Sequence, residues 1–506
     1  MFARRLRPFL VVAACVVVGL LGSTVAHAAG DTLRIGSKRF TESYILAQVL
    51  AQTAAPHAAV EVKQGLGNTA IVYEALRAGS IDLYPEYTGT IGLEILKSPG
   101  AMTLAAMREQ LKPLGLGVAV RLGFNDGYAL AMREDTAARL GVRKLSDLAA
   151  QPALRLGLSN EFIGRADGWQ GLAERYHLAQ QPAGLDHGLA YDAIAGGQVD
   201  VIDIYTTDAK IGHLGLRVLE DDAGHFPRYD AVLLYRLDVP QRFPAAWAAL
   251  QGLEGRIGEA QMIAMNARAE LQGAAFDVIA RDHLAQRRAT SAPVDTGVWS
   301  KLWGPDLSRL AAQHLGLVAA AVLLAVLIGV PLAVAVASHA GARSAVLGAT
   351  GLLQTVPSLA LLAVLISWLG RIGTVPALVA LTLYALLPIM RNTCTGLAEV
   401  PAGLKLAGQA LGLRRGQQLR VVELPLALPV IVAGVRTATT ISVGTATIAA
   451  FIGAGGFGER IVTGLALNDK ALLLAGALPA AALALLFEAS FGLAERWLRR
   501  SRLAEV

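Results

Sequence analysis

Cysteine is nearly absent: two residues in 506, Cys15 and Cys394, sit in or beside apolar runs, so no structural disulfide is expected. The nine histidines are scattered, and no His/Cys spacing fits a metal site. No Ser, His and Asp arrangement supplies a nucleophile with its base, which argues against an enzyme. The phosphate-binding pattern Gly-x-x-x-x-Gly-Lys-Ser/Thr is missing as well, so this chain is expected to bind neither ATP nor a cofactor. The run Gly453-Ala-Gly-Gly-Phe-Gly458 lacks the lysine and reads as a turn after an apolar stretch. Charged residues make up only 17% of the chain and hydrophobic ones 54%, with a mean hydropathy of +0.48. That excess is too great for an ordinary soluble protein. The net charge is +6, but Lys and Arg do not interleave with aromatics, so no nucleic-acid partner is expected.

What is present is uneven. Residues 31 to about 310 carry mixed charge, whereas runs near 315–337, 345–369, 375–390, 426–453 and 471–487 are almost free of it. Each approaches the ~20 residues that cross a bilayer as a helix. Five spans are therefore expected in an all-α membrane domain over 314–506. Basic residues mark its inner side: Arg343, then Arg391, Lys405, Arg414, Arg415 and Arg420, then Arg496, Arg499, Arg500 and Arg502. The opposite loops hold Arg371 and a set, Glu459, Arg460, Asp469 and Lys470, whose charges cancel. This asymmetry places the basic segment 396–425 in the cytoplasm. Arg436 inside the fourth run either snorkels to the inner interface or lines a pathway.

At the N-terminus, Arg4, Arg5 and Arg7 precede an apolar stretch from Phe9 to Leu21, followed by Ala26-His27-Ala28. Residues 1–29 read as a secretory signal, with a lipidated Cys15 or an uncleaved anchor as alternatives. Residues 30–300 are then an exported domain, and 301–313 a linker.

The exported domain contains an internal echo. Ala75 to Thr90 aligns without gaps on Ala193 to Asp208, so that Gly79, Asp82, Tyr87 and Thr88 fall on Gly197, Asp200, Tyr205 and Thr206. A second echo pairs Leu33 to Phe40 with Leu154 to Phe162. Each copy reads as helix, glycine stop, short buried strand and tyrosine-bearing loop. Two α/β lobes follow: lobe one from 31–123 and 232–300, lobe two from 124–231, joined by a two-crossing hinge around a ligand cleft. Tyr87, Tyr128, Tyr205 and Tyr229 belong to loops that should face that cleft. Four ring faces suit a cation that cannot donate hydrogen bonds; the plainer alternative is partly buried tyrosines with partnered hydroxyls. Lys38 and Arg165, taken alone, read as solvated surface charges.

Two sets of motifs resemble known families. Leu406-Ala-Gly-Gln-Ala-Leu-Gly412, with Leu424-Pro425 beyond it, resembles the cytoplasmic coupling loop of ABC-importer permeases. Ala407, Gly412, Leu424 and Pro425 match that pattern, while Leu406 stands for its Glu and Gly408 for its second Ala; an ordinary interfacial helix is the alternative. The exported domain resembles binding proteins of osmoprotectant importers for glycine betaine, choline and carnitine. The resemblance rests on Gly36-Ser-Lys-Arg-Phe-Thr-Glu42, Tyr84-Pro-Glu-Tyr-Thr-Gly-Thr90, Asn125-Asp-Gly-Tyr-Ala-Leu130, Glu161-Phe-Ile-Gly-Arg-Ala-Asp-Gly168, Ile204-Tyr-Thr-Thr-Asp208 and Phe226-Pro-Arg-Tyr-Asp230.

That resemblance implies a bilobal α/β periplasmic-binding-protein fold followed by a permease domain of about five core helices. It makes Tyr87, Tyr128, Tyr205 and Tyr229 the walls of a cation cage, with Asp126 beside the cation. Lys38, Thr90 and Arg165 would hold a ligand carboxylate, and Glu161 would orient Arg165. It implies a homodimer in the inner membrane, a separate ABC ATPase as partner, and an extracytoplasmic binding domain. Keeping both Lys38 and Arg165 tilts the ligand toward zwitterions. Ergothioneine or another trimethylammonium compound is an alternative ligand. A ligand-gated channel or sensor is the alternative of another class.

Overall fold

The computed structural model describes residues 31–98, 100, 102–285, 297–467 and 469–503. The N-terminal signal and its Cys15 lie outside the described residues.

Two five-stranded sheets share one topology. The first uses β1 (Thr32–Gly36), β2 (Ala59–Lys63), β3 (Leu83–Tyr87), β4 (Leu116–Ala119) and β10 (Ala231–Arg236), in the order β2-β1-β3-β10-β4. The second uses β5 (Tyr128–Arg133), β6 (Leu156–Ser159), β7 (Ala183–Leu185), β8 (Val201–Tyr205) and β9 (Leu216–Val218), in the order β7-β6-β8-β5-β9. In each, three parallel strands are followed by a strand antiparallel to both of its neighbours.

The echoed residues hold equivalent places. Asp82 accepts the backbone N–H of Arg34 at 2.8 Å, and Asp200 accepts that of Arg155 at 2.9 Å, tying the start of one parallel strand to the next. Gly79 and Gly197 stop the preceding helices at φ +68° and +65°, a left-handed conformation that glycine adopts without steric cost. Thr88 and Thr206 clasp the antiparallel neighbour through the backbone N–H groups of Asp230 and Gly127. The two passages between sheets run side by side: Asn125 bridges Asp230, and Asp126 N–H donates to the Tyr229 carbonyl at 3.0 Å.

Lobe one is centred on the helix Thr41–Ala54, whose Tyr44, Ile45, Leu46, Val49 and Leu50 are buried beneath helices Glu259–Glu270 and Phe276–Leu284. Each such aliphatic side chain contributes roughly 1.5–3 kcal/mol by leaving water.

Among the described residues four helices are long and apolar enough to cross a membrane, Leu307–Val336, Thr374–Ala398, Arg415–Ile452 and Lys470–Leu493. The second expected span is instead a broken pair, Ala340–Thr355 and Ser358–Leu369, bent by 101°. Pro357 is the cause: its ring forces Val356 into extended backbone, φ −67° and ψ 125°. At the break the Val356 carbonyl accepts the Tyr384 hydroxyl at 2.6 Å, and Gln354 Nε2 donates at 2.8 Å to the Tyr384 carbonyl, which Pro388 leaves without a helical donor.

Three further sequence expectations change. Residues 301–313, expected as a linker, are helical from Leu307 onward and pinned by ion pairs: Arg460 grips Asp306 at 2.6 Å, Arg309 reaches Glu459 at 2.7 Å, and Lys301 pairs with Asp469. The outer-loop charges that cancel in the sequence are therefore partners of this segment. Arg436, read from the sequence without a partner, pairs with Glu488 on the neighbouring helix.

The two-lobed domain sits on one end of the helices. Arg39 stacks over the Phe451 ring at 5.1 Å. Any side chain at Gly188 would place its Cβ 2.7 Å from the Leu465 carbonyl oxygen. The segment Ala402–Glu423 occupies the opposite end of the helix Leu424–Ala446. There Leu406, Leu411 and Val421 are exposed, Gly408 is buried, and Gly412 turns the chain at φ +75°.

Candidate functional site: an aromatic cleft between the lobes

Strand register brings the tyrosines together. Tyr128 opens β5 directly opposite Tyr205, the last residue of β8. Tyr87 ends β3, and Tyr229 lies two residues before its partner strand β10. Lobe one thus offers Tyr87 and lobe two Tyr128 and Tyr205, with Tyr229 on the passage between the sheets. Tyr128 lies 5.1 Å from Tyr205 and 5.8 Å from Tyr229, ring centre to ring centre. A fifth ring, Phe40, lies 5.2 Å from Tyr205 and 6.2 Å from Tyr87.

Around one small void of about 20 Å³ stand Lys38, Phe40, Tyr87, Thr90, Asp126, Tyr128, Glu161, Arg165, Tyr205 and Tyr229. Every ligand-contacting residue expected from the sequence is among them. That space admits little more than a water, and the rings stand 5.1–6.2 Å apart, so the cleft is closed on itself. A larger cavity of about 340 Å³ adjoins it, shares Phe40, Glu161 and Tyr205, and continues to Phe451 and Leu362 of the helical domain.

The charged residues are already partnered. Lys38 Nζ bonds Glu86 at 2.5 Å and lies 5.2 Å from the Tyr87 ring centre. Arg165 lies 5.0 Å over the Tyr128 ring and grips Asp167 through Nε at 2.7 Å and Nη2 at 2.6 Å. Glu161, expected to orient Arg165, is 4.0 Å away; Asp167 does that work, and it also accepts the Tyr229 hydroxyl at 2.5 Å. Lys38 and Arg165 are buried and not solvated surface charges. Behind the rings, Glu42 accepts the Tyr87 hydroxyl at 2.5 Å. His187 stacks on Tyr205 at 4.3 Å and bonds Asp208 at 3.0 Å. The sequence reading did not single out Glu42, Glu86, Asp167 or His187 as site residues. The first three lie inside the resembling motifs, which was the available signal.

Electrostatically the hinge side is acidic. Burial raises the Glu42 carboxyl to about 7, more than its bonds to Thr207 and Tyr87 lower it. Burial and the charges of Glu42 and Asp208 hold Asp126 well above the usual carboxylate range. Asp208 goes the other way, because the His187 charge and hydrogen bond outweigh its burial.

Two lobes closing on an aromatic, charge-lined cleft, continuous in one chain with a helical membrane domain, define a receptor fused to a transport permease rather than an enzyme. Residues 31–286 match the family described as the substrate binding domain of the ABC-type glycine betaine transport system, and 325–500 match the binding-protein-dependent transport system inner membrane component. The chain belongs to the former family and carries the latter's permease domain, which makes it a multi-pass inner-membrane protein. It is 48% identical over 186 residues, 36% of its own length and 86% of the relative's, to the osmoprotectant import permease protein OsmW of Salmonella typhimurium. Over 261 residues, 50% of the chain and 47% of the relative, it is 31% identical to the ergothioneine transport permease/ergothioneine binding protein EgtU of Helicobacter pylori. A solved glycine betaine/carnitine/choline ABC transporter structure aligns at 26% identity with TM-score 0.44, covering 50% of this chain and 98% of that one.

Proposed function

We propose that this chain captures a quaternary ammonium osmoprotectant, such as glycine betaine, carnitine or choline, and passes it through its own membrane domain. The observation that carries the reading is the convergence of Tyr87 from lobe one, Tyr128 and Tyr205 from lobe two and Tyr229 from the passage between them on a single void with Lys38, Thr90, Arg165 and Asp126. Ring faces attract a trimethylammonium group, and the attraction grows when water is excluded, to about 2 kcal/mol per good contact. Lys38 and Arg165 keep spare donors for a ligand carboxylate: Arg165 spends Nε and Nη2 on Asp167 and leaves Nη1, and Lys38 spends one of three on Glu86. Because both cations are neutralised within the protein, the tilt toward zwitterions is weak, and choline is accommodated by the same site. The likeness to EgtU keeps ergothioneine, a trimethylated betaine, as a second ligand to test.

The driving force comes from a separate ABC ATPase docking on the coupling loop, where Ala407, Gly412, Leu424 and Pro425 match the importer pattern, Leu406 and Gly408 depart from it, and Leu406 and Leu411 offer exposed apolar side chains. Two copies pair through their membrane domains, the binding domains face the extracytoplasmic side, and the coupling loops face the cytoplasm. This orientation is supported by the positive-inside pattern and by the binding domain and coupling segment lying at opposite helix ends. Tethering the receptor keeps its local concentration in the millimolar range.

The test is calorimetric titration of the full chain in nanodiscs with glycine betaine, carnitine, choline and ergothioneine, beside Tyr205→Ala. Binding of one, weakened about thirtyfold as a lost ring contact of ~2 kcal/mol requires, supports the cage. A folded protein that binds none of them refutes it.

A further inference from the structure

At the hinge side of the cleft, Thr207 Oγ1 lies 2.5 Å from Glu42 Oε2 and 2.9 Å from Asp126 Oδ1. A hydroxyl carries one hydrogen. It satisfies one of these contacts, and the other oxygen pair needs a hydrogen from the carboxyl side. The remaining neighbours do not supply a countercharge. Tyr87 OH donates to Glu42 Oε1, Asn266 Nδ2 approaches Glu42 Oε2 at 3.4 Å, and Thr207 N–H approaches Asp126 Oδ1 at 3.2 Å. Among the described residues no Lys, Arg or His forms an ion pair with either acid. Lys38 is held by Glu86, and His187 by Asp208 and Asp203. Asp208 adds negative charge on the same side, while beyond it Glu270, raised to about 7 mainly by burial, faces Lys210. Glu42 and Asp126 are only 2% and 5% exposed, and two bare carboxylates in such a place would be far too costly.

We infer that Glu42 and Asp126 share one proton through Thr207, and that a cationic ligand entering the tyrosine cleft expels it. This rests on the quaternary ammonium reading above. Asp126 lines the cleft, and Tyr87, one wall of the cage, is bonded to Glu42, so the cation's charge falls on both acids. Its arrival supplies the positive charge the pair lacks. The second carboxylate then becomes affordable, and the proton leaves to solvent: protonated receptor plus cation gives complex plus one proton. Burial, which raises both acids in the free protein, points the same way. Thr207 and Asp126 lie in or beside lobe two and the hinge, whereas Glu42 and Asn266 belong to lobe one, so the proton also sits on the contact that lobe closure makes.

The test is titration of the full chain in nanodiscs with glycine betaine, carnitine and choline, in buffers of different ionisation enthalpy across about pH 5.5–8.5. The expected result is release of up to one proton per ligand bound, with affinity falling by up to tenfold per unit of pH below the pair's titration range. Glu42→Gln should abolish the release, and Asp126→Asn should do the same if the first variant fails to fold. Binding with buffer-independent heat and pH-independent affinity in the unaltered protein overturns the proton linkage and leaves the cage standing. Binding of none of the three refutes the ligand reading and, with it, the displacement. The shared proton is then judged separately: a protonated-carboxyl C=O band in the infrared spectrum at neutral pH, lost in Glu42→Gln, sustains it, and absence of that band overturns it.

Discussion

Asp167 shows how a residue can matter most where it touches least of the ligand. It accepts two hydrogen bonds from buried Arg165 and one from the Tyr229 hydroxyl. Asp167→Asn leaves the guanidinium buried without its partner, and breaking such a pair costs about 3–5 kcal/mol. The expected outcome is a clear fall in the unfolding midpoint of the binding domain, read by tyrosine and tryptophan fluorescence. Glu42 gives a second, signed expectation. Its carboxyl titrates higher in the folded chain, at about 7, than in the unfolded one, near 4.5. A group raised on folding stabilises fully below its unfolded value and loses that contribution as pH rises through the folded one. Stability of the binding domain should therefore decline between about pH 4.5 and 7, and Glu42→Gln should flatten the decline; a slope of equal size in both proteins would count against it. The tyrosines were legible from their chemistry and the echo, whereas Lys38 and Arg165, read alone as surface charges, were picked out only through the family motifs that hold them. Their internal counterions were not, since an aspartate two residues from an arginine looks the same in sequence whether buried or solvated.

At the level of elements, the contact between the receptor and the helices joins an apolar cluster, in which Leu66 and Ile81 pack with Leu317, Ile372 and Ile452, to close backbone approach and one cation over a ring. Arg39 bonds Asp186 across the lobes at 3.1 Å while lying over Phe451. Lobe closure and seating on the membrane domain are thus joined at one guanidinium. Phe451→Ala should leave ligand affinity near that of the unaltered chain, because Phe451 lies outside the cleft void, and should lower uptake in proteoliposomes containing the partner ATPase. Unchanged uptake would remove Arg39 and Phe451 from the transmission path. At the far end, Leu406→Asp places a charge on an exposed apolar docking position, and ligand-stimulated ATP hydrolysis should fall severalfold with binding intact. The helices themselves were readable from composition alone. Their break at Pro357 was readable only in part: proline announces a kink, but at the 101° turn it is Tyr384, on another helix, whose hydroxyl satisfies the opened Val356 carbonyl.

Taken whole, the molecule is a receptor domain set on one end of a helical bundle with the basic segment Ala402–Glu423 at the other. Membrane-impermeant thiol labelling checks the orientation: Lys112→Cys, exposed on the binding domain, should react from outside intact cells, and Leu406→Cys only after the inner face is opened. The reverse pattern would invert the proposed topology. The sequence by itself determined the duplicated lobes, the apolar domain, the coupling segment and the tyrosines. These follow from local periodicity, charge asymmetry and an echo whose glycines, aspartates and threonines each perform a backbone task that recurs in both copies. Tertiary structure alone decided that 301–313 is a pinned helix start, that Arg436 meets Glu488, that Lys38 and Arg165 arrive already neutralised, and that Glu42 faces Asp126 across Thr207. All of these are pairings between residues far apart in the chain or differing only in burial. A charge's energy is set by the partner and the dielectric that folding gives it, and neither is written at its own position.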